Sequence, residues 1–333
     1  MDMCSGSILK KMLIFTIPLM CSSILQLLFN AADIVVVGRF AGDNSLAAVG
    51  SNTALINLLT NLFVGLSIGA NVAAARFYGA KQDGEVKKTV HTAMLLSIFS
   101  GIILTVIGVI GARQILIWMQ TPSEVLELAV LYLRIYFVGM TGTMIYNFGS
   151  ALLRAVGDTK RPLYYLFGAG CVNIVLNLLF VICFHMDVAG VALATVISEA
   201  ISALLVLRCM IKEKGSIHLE LRELHIYPDK FVQILKVGLP AGFQGIVFAL
   251  SNVVIQSSIN LFGATVVAGN SAAANIEGFV YMAMNSFYQA TISFTSQNFG
   301  AGKQERINRI ALTGEFCVIV VGLFFGNACV LFG

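Results

Sequence analysis

Long apolar runs alternate along this chain with short charged ones. Residues 44–75, 162–184 and 237–276 contain no Asp, Glu, Lys or Arg. Each exceeds the roughly 20 residues that a helix needs to cross a bilayer. Gly, Ser and Asn scattered through these runs break the alternation expected of a membrane barrel strand. The pattern predicts nine spanning helices, at about 12–37, 46–75, 89–116, 128–153, 162–185, 188–210, 232–262, 265–298 and 308–332. The fold class is therefore an all-α membrane protein, a polytopic helix bundle. The longest polar segment, IKEKGSIHLELRELHIYPDKF, separates six spans from three. It reads as a linker with a short surface helix. Residues 1–211 are then an N-terminal six-helix lobe, 212–231 the linker and 232–333 the first three helices of a second, incomplete lobe.

Composition agrees with the pattern. The chain is 58% hydrophobic and 11% charged, where soluble domains carry about 25% charged residues. A cytoplasmic N-terminus places 18 of the 21 Lys and Arg on the inner side, leaving Arg39, Arg113 and Arg134 outside. The positive-inside rule selects that orientation. The net charge of +4 is accounted for by these loops, and nucleic acid is not an expected partner. The seven cysteines form no CxxC pair and mostly lie in apolar runs, where they read as small core residues. The four histidines are scattered, and no zinc motif, phosphate loop or nucleophile elbow stands out. An enzyme is not expected, nor a cofactor.

The second part of the chain restarts the first. Pro18 and Pro240 lie early in long spans, Asn30 and Asn252 follow 12 residues later, and Gly42 and Gly263 open the next spans. YGAKQ at 78–82 is matched by FGAGKQ at 299–304, so the offset is 221 to 222 residues throughout. Both copies start from the cytoplasmic side, which makes them parallel repeats. Secondary transporters commonly hold substrate between such halves. A second six-span half would need three more helices, so the chain is either a fragment, the favoured expectation, or an unusual nine-span form.

VGRFAGDNSLAAVG at 37–50, LLRAVGDTKRP at 152–162 and NFGAGKQ at 298–304 resemble the multidrug and toxic compound extrusion (MATE) transporters. The match is closest to the bacterial branch with an acid in the first helix. The resemblance implies a twelve-helix, two-lobe fold in a bacterial plasma membrane. It implies export of small organic, often cationic compounds in exchange for H⁺ or Na⁺, by alternating access between the lobes. A monomer is expected. The alternative within the same superfamily, a lipid-linked oligosaccharide flippase, would carry several basic residues inside its lobes. Here Arg134 alone lies clearly within a span, toward its outer end.

A charge at the centre of a spanning helix costs about 2.5–3.5 kcal/mol on insertion scales, so each one needs a reason. Gln26, Asn30 and Asp33 follow one another at i, i+4 and i+7, on one stripe of the first span. Asn173 and Asn177 lie four apart in the fifth span, and Thr195, Glu199 and Ser202 share a face of the sixth. The resemblance implies that these spans adjoin. Asp33 then matches the family's first-helix acid, with Asn30 beside it, Asn173 in the fifth helix and Thr195 in the sixth. Asn177 departs from the family, which usually has aspartate there, and Glu199 is a candidate second carboxylate.

Low polarity disfavours the charged form of a carboxylate, which suits Asp33 to carrying a proton. The oxygens of Asp33, Asn173 and Asn177, with Asn30 and Thr195, equally suit Na⁺. A third reading makes Asp33 a structural acid held by amides. Gln26, Phe29, Asn252, Gln256 and Glu277 are candidates for lining the substrate cavity. In the second copy Ile255 stands where the first has Asp33, so coupling is expected in the N-terminal lobe alone.

Overall fold

The computed structural model describes the backbone of residues 1–260 and 264–332, and their side chains except at 43, 51, 54, 253, 256, 257, 260, 264–268, 271, 272, 275, 329, 330 and 332. The described chain is helical, with no strand among the described residues. Its helices are α1 (Ile8–Phe40), α2 (Asp43–Gly79), α3 (Asp83–Trp118), α4 (Ser123–Val138), α5 (Met140–Ala155), α6 (Lys160–Leu178), α7 (Asp187–Lys212), α8 (Pro228–Asn260), α9 (Ala264–Gly300) and α10 (Gln304–Phe332). A π turn, Leu179–Cys183, extends α6. Among the described residues seven helices are long and apolar enough to cross a membrane, and eight if the bent pair α4 and α5 counts as one span. α9, the predicted span at 265–298, is helical but outside that apolar set, since Ser, Thr, Asn and Gln recur along it.

The predicted span at 128–153 is broken in two. α4 and α5 meet at 47° around Gly139. No proline causes this. A Cβ at Gly139 would lie 2.7 Å from Val196 Cγ2, so the glycine lets α7 pack directly against the joint. The Phe137 carbonyl at the joint instead accepts a hydrogen bond from Thr105 Oγ1 at 2.7 Å. Pro18, by contrast, leaves α1 one continuous helix, with Ser22 Oγ donating to the Pro18 carbonyl at 2.9 Å.

The linker is packed rather than free. Ile217 and Leu219 are buried against the α3 and α5 ends. His91 of α3 accepts the Glu220 N–H at Nε2, 3.3 Å away. Lys230 is buried between Glu85 and Asp229, with its ammonium 4.0 Å from the Phe77 ring centre.

The repeat is visible in the backbone. α1 and α8 both have 33 residues, and α2 and α9 both have 37. The turns after α2 and α9 share their hydrogen bonds at an offset of 221: Lys81 N to Tyr78 O and Gly302 N to Phe299 O, both 3.1 Å. Lys81 takes a left-handed φ of 57° and its counterpart Gly302 one of 70°, which glycine adopts without strain. At the crossing of α2 and α9, a Cβ on Gly79 would overlap the Gln297 carbonyl, and one on Gly300 would overlap the Arg76 carbonyl. Each contact is the other's counterpart shifted by 221 residues, so the halves meet about a pseudo-twofold axis.

A long half-to-half contact joins α2 to α8. A Cβ on Gly238 would lie 2.7 Å from Leu66 Cα, and one on Gly242 2.6 Å from the Leu62 carbonyl. Gly65 and Gly69 present equally bare backbone to Gly242 and Ile234. Small residues let membrane helices approach backbone to backbone, where dispersion rather than water exclusion holds them. Gly65→Ala or Gly69→Ala should therefore destabilise by about 1–3 kcal/mol through overpacking. Gly50→Ala, in the same helix with open space around it, should leave thermal unfolding in detergent unchanged or slightly raised.

Candidate functional site

α1, α6 and α7 converge on Asp33. Gly170 of α6 allows this approach, because a Cβ there would overlap the Phe29 ring of α1. One turn further along α1, Asp33 is turned inward and is 9% exposed. Asn177 of α6 donates its Nδ2 hydrogen to Asp33 Oδ1. Thr195 Oγ1 of α7 stands 3.5 Å from Asp33 Oδ2. Asn177 Nδ2 also donates to Asn173 Oδ1 at 3.2 Å, and Asn173 Nδ2 donates to Thr195 Oγ1 at 3.4 Å. Four side chains from three helices thus close a ring. Thr195 has a single hydroxyl hydrogen and is also 3.0 Å from the Val191 carbonyl. Asp33 and that carbonyl therefore compete for it. Asn177 Oδ1 is buried with no partner, a spare acceptor beside the acid.

This arrangement can distinguish two states of Asp33. As a carboxylate it only accepts, and the amide and hydroxyl hydrogens point at it. As a protonated acid it gains a donor, which a turned Asn177 amide would accept through Oδ1. A cation is the other way to use the site. Asp33, Asn173, Asn177 and Thr195 carry the hard oxygen ligands that Na⁺ prefers, although the Asn177 Nδ2 hydrogens now occupy the space between them.

A second acid stands nearby. Glu199 of α7 accepts a hydrogen bond from Thr143 Oγ1 of α5. Its own carbonyl accepts the Ser202 hydroxyl at 2.8 Å. Glu199 lies within electrostatic reach of Asp33 and of Tyr132 and Tyr136 of α4. The two tyrosine rings stack at 6.0 Å. The break at Gly139 sets Tyr136 before the bend and Thr143 after it. Sequence reasoning missed Tyr132, Tyr136 and Thr143. The available signal was Tyr-x₃-Tyr on one helical face, followed by glycine four residues before a threonine.

The other candidates lie apart from the ring. Gln26 and Asn30 are exposed, and no described polar partner reaches Asn30. Asn252, Ile255 and Glu277 are also exposed, on α8 and α9. The side chain of Gln256 lies outside the described residues. Phe248 of α8 and Tyr281 of α9 stack at 5.6 Å on the same exposed side, one turn from Glu277.

The chain matches the MatE family model over residues 18–179 and 240–333. The probable multidrug resistance protein YoeA of Bacillus subtilis is 28% identical over 323 residues, covering 95% of this chain and 70% of that protein. The probable multidrug resistance protein NorM of Thermotoga maritima is 25% identical, covering 97% and 70%. Among solved structures, an outward-facing multidrug resistance MATE family transporter of the MOP superfamily superposes with a TM-score of 0.92 at 25% identity, covering 99% of this chain and 73% of that one. A Pyrococcus furiosus transporter of the same superfamily, whose pocket of reversed polarity suggests a different function, superposes at 0.89 with 25% identity, covering 96% and 71%. Motifs, repeat, helix order and these matches agree: the chain belongs to the MATE family of membrane transporters.

Proposed function

We propose that this chain serves multidrug efflux, exporting small organic cations from a bacterial cytoplasm in exchange for an inward-moving cation that binds at Asp33. The observation that carries this reading is the closed ring of Asp33, Asn177, Asn173 and Thr195, because it links three helices through one titratable group. H⁺ is the first choice of coupling ion. The donors aimed at Asp33 suit a carboxylate, and the spare Asn177 Oδ1 suits its protonated form. Na⁺ is the second reading, favoured by that same spare oxygen after one amide rotation. The distribution of Lys and Arg supports a cytoplasmic N-terminus. Residues 1–211 act as one lobe and 232–333 as part of the other, with the packed linker between them.

The acidic character of the buried groups favours cationic cargo over the anionic head group of a flippase substrate. Arg134 is exposed and donates from Nε to the Val109 carbonyl at 3.2 Å, away from the ring.

Proteoliposomes under separate proton and sodium gradients test the proposal. Export of a fluorescent organic cation should follow one gradient, and Asp33→Asn should reduce it by about tenfold or more, equivalent to about 1.4 kcal/mol of coupling. Export that survives the substitution at full rate would rule out Asp33 as the coupling group.

A second measurement concerns Glu199. Two interacting carboxylates lose their protons in two macroscopic steps and spread the titration over a wider pH range than one group would. Glu199→Gln should narrow the pH dependence of export toward a single titration step while leaving cation binding intact, and Thr143→Val, which removes the donor to Glu199, should also change the profile. An unchanged profile in both would confine Glu199 to a structural role.

A further inference from the structure

Besides the α2·α9 crossing at Gly79 and Gly300, the two halves touch along two lines of different character. Along α2 and α8 the contact is backbone on backbone, through Gly65, Gly69, Gly238 and Gly242. Along α1 and α9 it is side chain on side chain. Met12, Phe15 and Leu19 face Phe287, Ala290 and Phe294, with the Phe15 and Phe294 rings edge to face at 5.6 Å. Shifting the four glycines by the repeat offset, 221 for α2 and 222 for α8, reaches Ser286, Ala290, Thr16 and Met20, so the second line lacks the glycines of the first. A glycine seam resists separation because no side chain can rearrange to fill the gap. The side-chain seam can part and repack.

The segment before α1 lies across the weaker line. Met3 is fully buried among Met12, Phe15, Phe294 and Ile310. Its N–H donates to Gln297 Oε1 at 3.3 Å, and its carbonyl accepts Asn298 Nδ2 at 3.1 Å. The Cys4 carbonyl accepts Lys303 Nζ at 2.7 Å, and the Gly6 and Ser5 carbonyls accept Arg306 Nη1 and Nη2 at 3.2 and 3.5 Å. Beneath it, Gln297 Nε2 donates to the Ala155 carbonyl of the first half at 2.6 Å. Asp2 braces the segment locally, accepting from Ser5 Oγ and the Cys4 N–H, while Lys11 Nζ holds the Asp2 carbonyl at 2.7 Å. The segment is covalently part of the first half. Its buried methionine and five hydrogen bonds to Gln297, Asn298, Lys303 and Arg306 fasten it to the second.

We propose that residues Asp2–Ser7 are a releasable strap that holds the α1·α9 seam shut at this end of the molecule, with the α2·α8 glycine seam as the pivot. Opening this end then requires Met3 to leave its pocket and the α9–α10 turn to release the strap carbonyls. The proposal assumes that the two halves move against each other but is independent of which ion or compound is carried.

Accessibility of engineered cysteines tests it in the full chain, with the native cysteines replaced. Ala290→Cys probes the α1·α9 seam and Ala70→Cys the region beside the α2·α8 seam; both positions are fully buried. Met3→Ser should raise the rate at which a membrane-permeant maleimide labels Ala290→Cys by about fivefold or more, through a shifted population of the open form, and leave Ala70→Cys unchanged. Lys303→Gln combined with Arg306→Gln removes the side-chain anchors without touching the Met3 pocket and should act in the same direction. Equal labelling with and without the strap substitutions would overturn the proposal. So would a rise at both probes, which marks general loosening of the fold. The readout needs no transport, so failure of the strap and failure of Asp33 coupling are separable.

Discussion

A carboxylate inside a helix bundle has to be satisfied by the bundle itself, and that constraint organises the first half of this molecule. Hydrocarbon supplies no hydrogen-bonding partners, so every polar group at depth turns toward protein or trapped water. Asp33 meets the condition only because three helices arrive together. Gly170 lets α1 close on α6, Asn177 then reaches Asp33, and Asn173 carries the chain of hydrogen bonds to Thr195 of α7. Removing any one of these leaves a buried donor or acceptor unmatched. Helix packing and site geometry are therefore the same fact viewed from two sides.

The sequence showed the parts of this that depend on polarity against an apolar background. Asp33, Asn173, Asn177 and Thr195 stand out in spans that otherwise lack charge, and the structure joins them. Asn30 stood out equally and lies elsewhere. At about 100° per residue, three positions along α1 turn its side chain about 60° from that of Asp33, enough to exclude it from a ring only four side chains wide. The aromatic and hydroxyl groups around Glu199 were hidden for the opposite reason. Tyr132, Tyr136 and Thr143 are unremarkable in a membrane helix, and they matter only because Gly139 bends the span. At that bend Gly139 packs directly against Val196 of α7, a contact that no local pattern encodes.

The duplication was legible in proline, asparagine and glycine spacing, and the backbone repeats it down to the hydrogen bonds of one turn. Its asymmetries were only half legible. The replacement of Asp33 by Ile255 is readable, because it is a change of residue type. The unequal seams are not, because a glycine in a helix signals close approach only when its partner is known. Nor did the linker's charge predict its packing, since Ile217 and Leu219 are few among many polar neighbours.

These asymmetries bear on one helix. α1 carries Asp33 toward one end, Met12 and Phe15 of the α1·α9 seam toward the other, and the strap beyond them. Eighteen residues of helix, about 27 Å, separate Asp33 from Phe15. Between them lies Pro18, which contributes no backbone N–H to the helix ladder. A rigid helix transmits rotation, and one with a missing rung also yields at a defined place. Asp33 and the seam residues Met12 and Phe15 thus lie on a single continuous element. Elsewhere in the interface, the glycine contacts join α2 to α8 backbone to backbone. Coupling between sites requires an element with two arrangements that both sites bias. Among the described helices, α1 is the one that meets the ring, the seam and the strap, and so has the geometry for that role.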